Sequence, residues 1–200
     1  LGENDAETRR AALEGIIAES DQLIRTFNAL LMISRVEAGS IAAEMSEVDL
    51  SAISADSCEL YEPVAEEAGL VLETDIQPDV RVSGNRELIG QAIFNLLDNA
   101  IKYAADDGAV LKLVLMHEGG AVRLSVCDSG PGIPAAMRGE VTKRFVRLDE
   151  SRSKPGTGLG LSLVEAVMEL HGGSLVLSAT DEEKSDAPGL TATMVFPEKE

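Results

Sequence analysis

The 200-residue chain carries 35 acidic against 17 basic side chains, a formal net charge of -18, and its sequence pI is near 4.4. That balance excludes a nonspecific grip on nucleic acid and docking onto anionic membranes, because polyanions are repelled except where basic residues cluster. Two cysteines, Cys58 and Cys127, are too few and too far apart for a disulfide framework or a zinc site, and they fit a reducing, cytoplasmic setting.

No apolar run is long enough to span a bilayer and no signal-peptide pattern stands at the amino end. The first residue is leucine, as expected of a segment from a longer protein. From Glu7 to Ala38 there is no proline, and Leu13, Ile16, Ile17, Leu23, Ile24, Phe27, Leu30 and Leu31 recur at helical spacing. The pattern predicts one long helix whose apolar stripe is wider than a two-stranded coiled-coil seam and suits a bundle. Gly39 supplies its stop. A boundary between Gly39 and Ser46 divides the chain into a unit at 1–45 and a larger one at 46–200.

In the larger unit "SEVDLSAI" reads as a short extended piece followed by an N-cap serine, Ser51, opening a helix to Ala68 despite Pro63. "LVLETDI" predicts a strand. Residues 86–105 have a broad helical apolar face that includes Leu88, Ile89, Ala92, Ile93, Leu96, Leu97 and Ile101. "AVLKLVLMHE" and "AVRLSVCD" predict a hairpin turning at Gly119 and Gly120. A helix over about 159–170 stops at Gly172 and Gly173, and "SLVLSAT" with "LTATMVFP" forms a last strand pair.

Four segments carry chemistry. "KPGTGLGLSLV" puts Gly156, Gly158 and Gly160 directly before a helix. Its spacing is not the G-x-G-x-x-G of a dinucleotide fold, and no lysine follows as a Walker loop requires. It reads either as a phosphate seat of bare backbone N–H groups at a helix start or as a plain loop entering a helix. Asn95, Asn99 and Tyr103 are spaced i, i+4, i+8, with Lys102 beside them, on an otherwise apolar helix. They read as magnesium and phosphate ligands or as a solvent face; asparagine is a weak helix former, which favours the first. "CDSGPGI" ends a strand with Asp128 and then Gly130 and Gly132, alone no more than a turn signal. Residues 138–154 hold six basic side chains against three acids around Phe145.

Taken in order, N-x-x-x-N-x-x-K, D-x-G-x-G, the basic stretch and G-x-G-x-G resemble the catalytic ATP-binding domain of sensor histidine kinases, of the wider Bergerat-fold (GHKL) ATPases. "NLLDNAIKY" is similar to the N box, "DSGPGI" to the first glycine box, "RFVRLD" to the F box and "GTGLGLSLV" to the second glycine box. The resemblance covers roughly residues 46–196. It implies an α+β fold, a two-layer α/β sandwich with a mixed sheet packed on helices, preceded by one long amphipathic bundle helix. It implies ATP and Mg2+ as cofactors. Asp128 would accept a hydrogen bond from the adenine amino group, and Asn99 would be the metal ligand, with Asn95 and Lys102 near the phosphates as the catalytic set. Tyr103 would sit over the base or ribose, and Phe145 would help pin a lid running from about Pro134 to Pro155. Ile133, Thr157, Leu159 and Leu161 would complete the binding site with Gly130, Gly132, Gly156, Gly158 and Gly160.

Members of the superfamily that hydrolyse ATP resemble one another in carrying a glutamate four residues before the metal-binding asparagine. That position here is Asn95, an amide that cannot act as a general base, which implies a preserved γ-phosphate and transfer instead of hydrolysis. The family's acceptor histidine box is absent. His117 falls in a strand, and His171 sits at a helix end in "LHGGSL", so both are expected to be structural. "LLMISRVEAGS" is similar to the end of the second helix of the family's dimerisation hairpin. The expectation is therefore a histidine kinase whose acceptor lies upstream and which does not phosphorylate itself in cis. Its partner would be a response-regulator receiver domain, and the intact protein would be a homodimer, with any membrane anchor in the upstream segments. Two other readings are an ATP hydrolase or conformational switch and a noncatalytic adaptor for response regulators.

Overall fold

The computed structural model describes residues 45–104, 108–148, 157–184 and 187–197, together with Leu13, Ile16, Ile17, Ser20, Ile24, Phe27, Leu30, Leu31 and Ser34. Those nine amino-terminal residues are all helical, as the stripe predicts. Leu13, Ile16, Ile17, Ile24, Phe27 and Leu31 are exposed, while Leu30 is half-buried against the core. Leu23 and the turn at Gly39 lie outside the described residues.

From Ser46 the chain forms strand β1 (Ser46–Asp49), helix α1 (Leu50–Glu67), strands β2 (Val71–Ile76) and β3 (Arg81–Gly84), and helix α2 (Arg86–Tyr103). The hairpin β4 (Val110–Glu118) and β5 (Ala121–Cys127), helix α3 (Gly160–Leu170), and strands β6 (Ser174–Ser178) and β7 (Thr191–Pro197) follow. Five strands make one mixed sheet in the order β2-β4-β5-β7-β6, and β1 and β3 form a separate two-stranded ladder. Among the described strands only β2 and β4 pair in parallel; the crossover between them, through β3 and α2, is the kind of long connection a parallel pair requires. The expected mixed sheet on helices is what the chain builds.

Strand alternation decides which face is buried. Leu111, Leu113 and Leu115 of β4, Val122, Leu124 and Val126 of β5, and Ala192, Met194 and Phe196 of β7 are all buried. The register aligns them in rows, Leu113 against Val126 and Leu124 against Met194. On top lies the buried stripe of α2, Leu88, Ile89, Ala92, Ile93, Leu96, Leu97 and Ala100, with the buried face of α3, which includes Leu163, Val164 and Val167. The α2 helix is thus held on one side by core packing and leaves its asparagines on the other.

Two boundaries differ from the sequence reading. Helix α1 is capped by Asp49, whose side chain accepts from the Ala52 N–H at 2.9 Å, so Ser51 is not the N-cap. Ser51 is drawn to the β2–β3 connection instead, its hydroxyl donating to the Gln77 carbonyl at 2.7 Å and accepting from the Val80 N–H at 2.9 Å. Strand β3 was not expected: four residues are too short to show a period. The C-terminus of α3 matches its reading. Gly172 adopts φ 67, with the Gly172 N–H on the Glu169 carbonyl and the Gly173 N–H on Met168, the paired bonds of a glycine-terminated helix. Among the described residues no helix is long and apolar enough to cross a membrane.

Candidate nucleotide site

Helix α2 is the spine of the site. Asn95 and Asn99 are half-buried on consecutive turns, and the start of α3 lies against both. A methyl group placed on Gly160 would sit 3.2 Å from Asn99 Nδ2, 3.6 Å from Asn99 Oδ1 and 3.4 Å from Asn95 Oδ1. The two segments that sequence spacing kept 61 residues apart, from Asn99 to Gly160, are adjacent. Asn95 is oriented by its own helix: its Nδ2 donates to the Gln91 carbonyl at 2.8 Å, which turns its Oδ1 outward toward the glycine segment.

The end of α3 that faces these amides has no side-chain cap and no acid in its first turn. Helices α1 and α2 are closed, α1 by Asp49 and α2 by Asn85, whose side chain accepts from the Leu88 N–H at 3.0 Å. The Leu163 N–H already reaches the Leu159 carbonyl at 3.0 Å, so the N–H groups of Gly160, Leu161 and Ser162 head the helix, where the macrodipole favours an anion. Thr157 supports this turn by accepting from the Leu159 N–H at 3.3 Å. Leu159 is buried; Thr157 and Leu161 are half-buried. Gly156 and the stretch from 149 to 155 lie outside the described residues.

At the other end of the polar stripe, Lys102 directs its ammonium to the Tyr103 hydroxyl at 2.8 Å and lies 4.5 Å from that ring's centre. A side chain on Gly130 would collide with the Tyr103 carbonyl, so the loop after β5 is pressed onto the last turn of α2. This loop carries Asp128, only 6 % exposed. Its Oδ1 accepts from the Gly130 N–H at 2.8 Å and the Leu190 N–H at 3.1 Å; among the described residues neither bond uses Oδ2. Burial pushes this carboxyl above the usual carboxylate range, and the two N–H donors pull partly back. Asn95 to Tyr103 spans eight residues, about 12 Å of helix, and the α3 start and Asp128 mark its two ends.

The segment after Ile133 is partly anchored. Arg138 donates to the Ile133 carbonyl at 3.1 Å, Lys143 pairs with Glu140 at 2.6 Å, and Val141 is buried. Arg138 and Lys143 of the basic stretch thus have partners within it. The Phe145 ring is 60 % exposed, and it is the Phe145 backbone that holds the segment, its N–H donating to the Gly158 carbonyl at 2.9 Å. Gly158, at φ 70, could not carry a side chain there, since a methyl would lie 2.9 Å from the Phe145 carbonyl carbon.

His171 is structural, as expected. It is 8 % exposed, its Nε2 accepts from the Asn85 N–H at 3.0 Å, and its Nδ1 lies 2.7 Å from the Val167 carbonyl. An N–H on one side and a carbonyl on the other fix the neutral Nδ1–H tautomer. Burial lowers its pKa. The sequence reading missed two contributors, the Asn85 cap and the Leu190 N–H on Asp128. Asn85 before "RELI" was available as a cap signal; a backbone N–H leaves no signal in a sequence.

Over residues 84–200 the chain matches the profile of the histidine kinase-, DNA gyrase B- and HSP90-like ATPases. The adaptive-response sensory kinase SasA of Rippkaea orientalis is 31% identical over 188 residues, 92% of this chain and 48% of that protein. The sensor-like histidine kinase SenX3 of Mycolicibacterium smegmatis is 31% identical over 197 residues, 98% of this chain and 50% of that protein. The chain thus spans about half the length of these curated relatives. Among solved structures, the mycobacterial sensor histidine kinase MprB aligns with a TM-score of 0.67 at 32% identity, covering 76% of this chain and 97% of that one. Full-length ShkA, solved in complex with AMPPNP, aligns with a TM-score of 0.76 over 94% of this chain and 38% of that one; at 24% identity the likeness is one of fold. A matched profile over more than half the chain, on a fold with that architecture, places the protein in the histidine kinase-, DNA gyrase B- and HSP90-like ATPase family, as a catalytic domain of the sensor histidine kinase type.

Proposed function

We propose that this chain binds ATP along α2 and presents its γ-phosphate to a histidine on another polypeptide segment, for relay to a response-regulator aspartate. The observation that carries the reading is the approach of the uncapped α3 start to Asn95 and Asn99, with the buried Asp128 beside the end of α2, about two turns on. Base and phosphates need recognition of opposite kinds at the two ends of one elongated ligand. A carboxylate with an oxygen to spare suits the adenine amino group, which guanine replaces with a carbonyl. Backbone N–H groups at a helix start suit the phosphates.

The donor set also fits a magnesium ion. Among the described residues no three His, Cys, Asp or Glu side chains are grouped to cage a metal, and Mg2+ is commonly held by one or two protein oxygens with phosphate and water supplying the rest. Asn99 would be its protein ligand, with Asn95 and the ammonium of Lys102 nearby. When bound, the ion would neutralise charge building on the phosphates during transfer. The chain's own contribution is positional: the α3 N–H groups orient the phosphates, Asp128 fixes the base, and Tyr103 borders the base end. Asn95 supplies no general base, so water activation is not provided for at that position.

Neither histidine of this chain serves as acceptor. His171 spends both ring nitrogens internally. His117 is exposed near the far end of β4, five residues beyond Lys112, which pairs with Cys127 next to Asp128; that is about 17 Å of strand. The test mixes this chain, Mg2+ and γ-labelled ATP with a longer version that contains the upstream segment and carries Asp128→Asn. Acid-labile phosphate on the longer protein is the expected result. Steady phosphate release without labelling would point to a hydrolase, and ATP binding with neither product would point to an adaptor.

A further inference from the structure

We infer that the loop between β6 and β7 is a positioning device for Asp128, with Gly189 and the Leu190 N–H as its working parts. The inference rests on the nucleotide reading above and adds positioning residues remote in sequence from every motif in it. Asp128 and Leu190 continue the β5–β7 register one step beyond Cys127 and Thr191. In that rung the Asp128 N–H donates to the Leu190 carbonyl at 2.9 Å. The return bond is diverted: the Leu190 N–H goes to the Asp128 side chain at 3.1 Å. The last rung of the ladder is therefore closed through a carboxylate oxygen, which fixes the carboxyl group by Oδ1 and leaves Oδ2 outside both bonds.

Gly189 makes this diversion possible. It adopts φ 68, and a methyl there would strike the Asp128 carbonyl oxygen and lie 2.9 Å from Thr180 Cβ and Oγ1. Its N–H donates to the Gly130 carbonyl at 2.9 Å, so the loop grips the glycine turn on the other side of Asp128. Pro188 adds a second clamp. Its carbonyl accepts from the Asp181 N–H at 2.8 Å, and its ring lies 2.9 Å from where a methyl on Gly132 would stand. The carboxylate is thus held between two segments that are both tied to the β6–β7 loop.

The test is a double-mutant cycle on the 200-residue chain, with the ADP dissociation constant measured by calorimetry and urea stability followed in parallel. Gly189→Ala should weaken ADP binding about tenfold, the scale of one charge-assisted hydrogen bond. In the Asp128→Asn background the same substitution should cost nothing further, because a residue acting through another is non-additive with it. A merely structural role would move stability while leaving ADP affinity intact, or would add its full factor in both backgrounds; either result overturns the inference and leaves the nucleotide reading standing. If Gly189→Ala does not fold, Pro188→Ala, which keeps every backbone donor, takes its place in the cycle with a smaller loss expected. Failure of the unaltered chain to bind ADP would overturn the nucleotide reading itself, and this inference with it.

Discussion

Two buried polar clusters in this molecule are made of similar material and end differently. Around Asn85 and His171, 7 % and 8 % exposed, both ring nitrogens are paired within the protein. Around Asp128, 6 % exposed, both donors converge on one oxygen. The first cluster is closed and ties the end of α3 to the start of α2. The second leaves Oδ2 outside both bonds, and it is this oxygen that the proposed nucleotide would engage.

The largest expected effect separates the two. Truncating the closed cluster by His171→Ala leaves the Asn85 N–H buried without its ring acceptor, takes from the Val167 carbonyl one of its two donors, the ring and not the backbone N–H, and opens space beside Phe196, whose ring meets the imidazole edge-on at 6.1 Å. Loss of about 3 kcal/mol of stability is expected in urea unfolding. The ADP affinity of the folded fraction should not change, and a parallel loss of affinity would break the division between the clusters.

Asp128→Asn should do the reverse. The amide oxygen can still accept from Gly130 and Leu190, but an amino group then replaces an acceptor on the open side. ATP affinity should fall roughly tenfold to a hundredfold, while neutral-pH stability stays level or rises because an ionised carboxyl is no longer buried. A stability loss comparable to that of His171→Ala would mean that the second cluster is closed after all.

How much of this the sequence declared depends on what kind of group does the work. The α2 stripe was legible because Leu88, Ile89, Ala92, Ile93, Leu96 and Leu97, all buried, recur at helical spacing, with Ile101 only half-buried at its end, and Asn95 and Asn99 stood out against it as poor helix formers. Their meeting with Gly160 was not legible from spacing alone, because contact across 61 residues is a property of α2–α3 packing. The Ser51 reading failed for a related reason: Asp49 and Ser51 are both competent caps, and the choice was made by the Gln77 carbonyl and Val80 N–H, which are tertiary partners. Likewise the tie between Phe145 and the glycine segment runs through the Phe145 N–H to the Gly158 carbonyl, a backbone contact that the side chain does not announce. Leu190 is the limiting case, since every residue other than proline owns an N–H and nothing in its side chain marks this one.

The smallest effect tests the comparison through its sign. Burial holds the folded-state pKa of His171 below its ordinary 6.5. Its stabilising contribution is therefore fully present above that value and is lost as pH falls through the window beneath it. Asp128 moves the other way: its folded-state pKa is raised from 3.8, so the cost of ionising it is relieved as pH falls toward that figure. Over acidification from neutral pH the two oppose each other in sign. His171→Gln, whose side chain does not titrate, should flatten the acid loss in urea midpoints. Asp128→Asn should steepen it, because the opposing gain is removed. Curves that shift in the same direction for both variants would show that the two clusters do not differ in the way their hydrogen bonds imply.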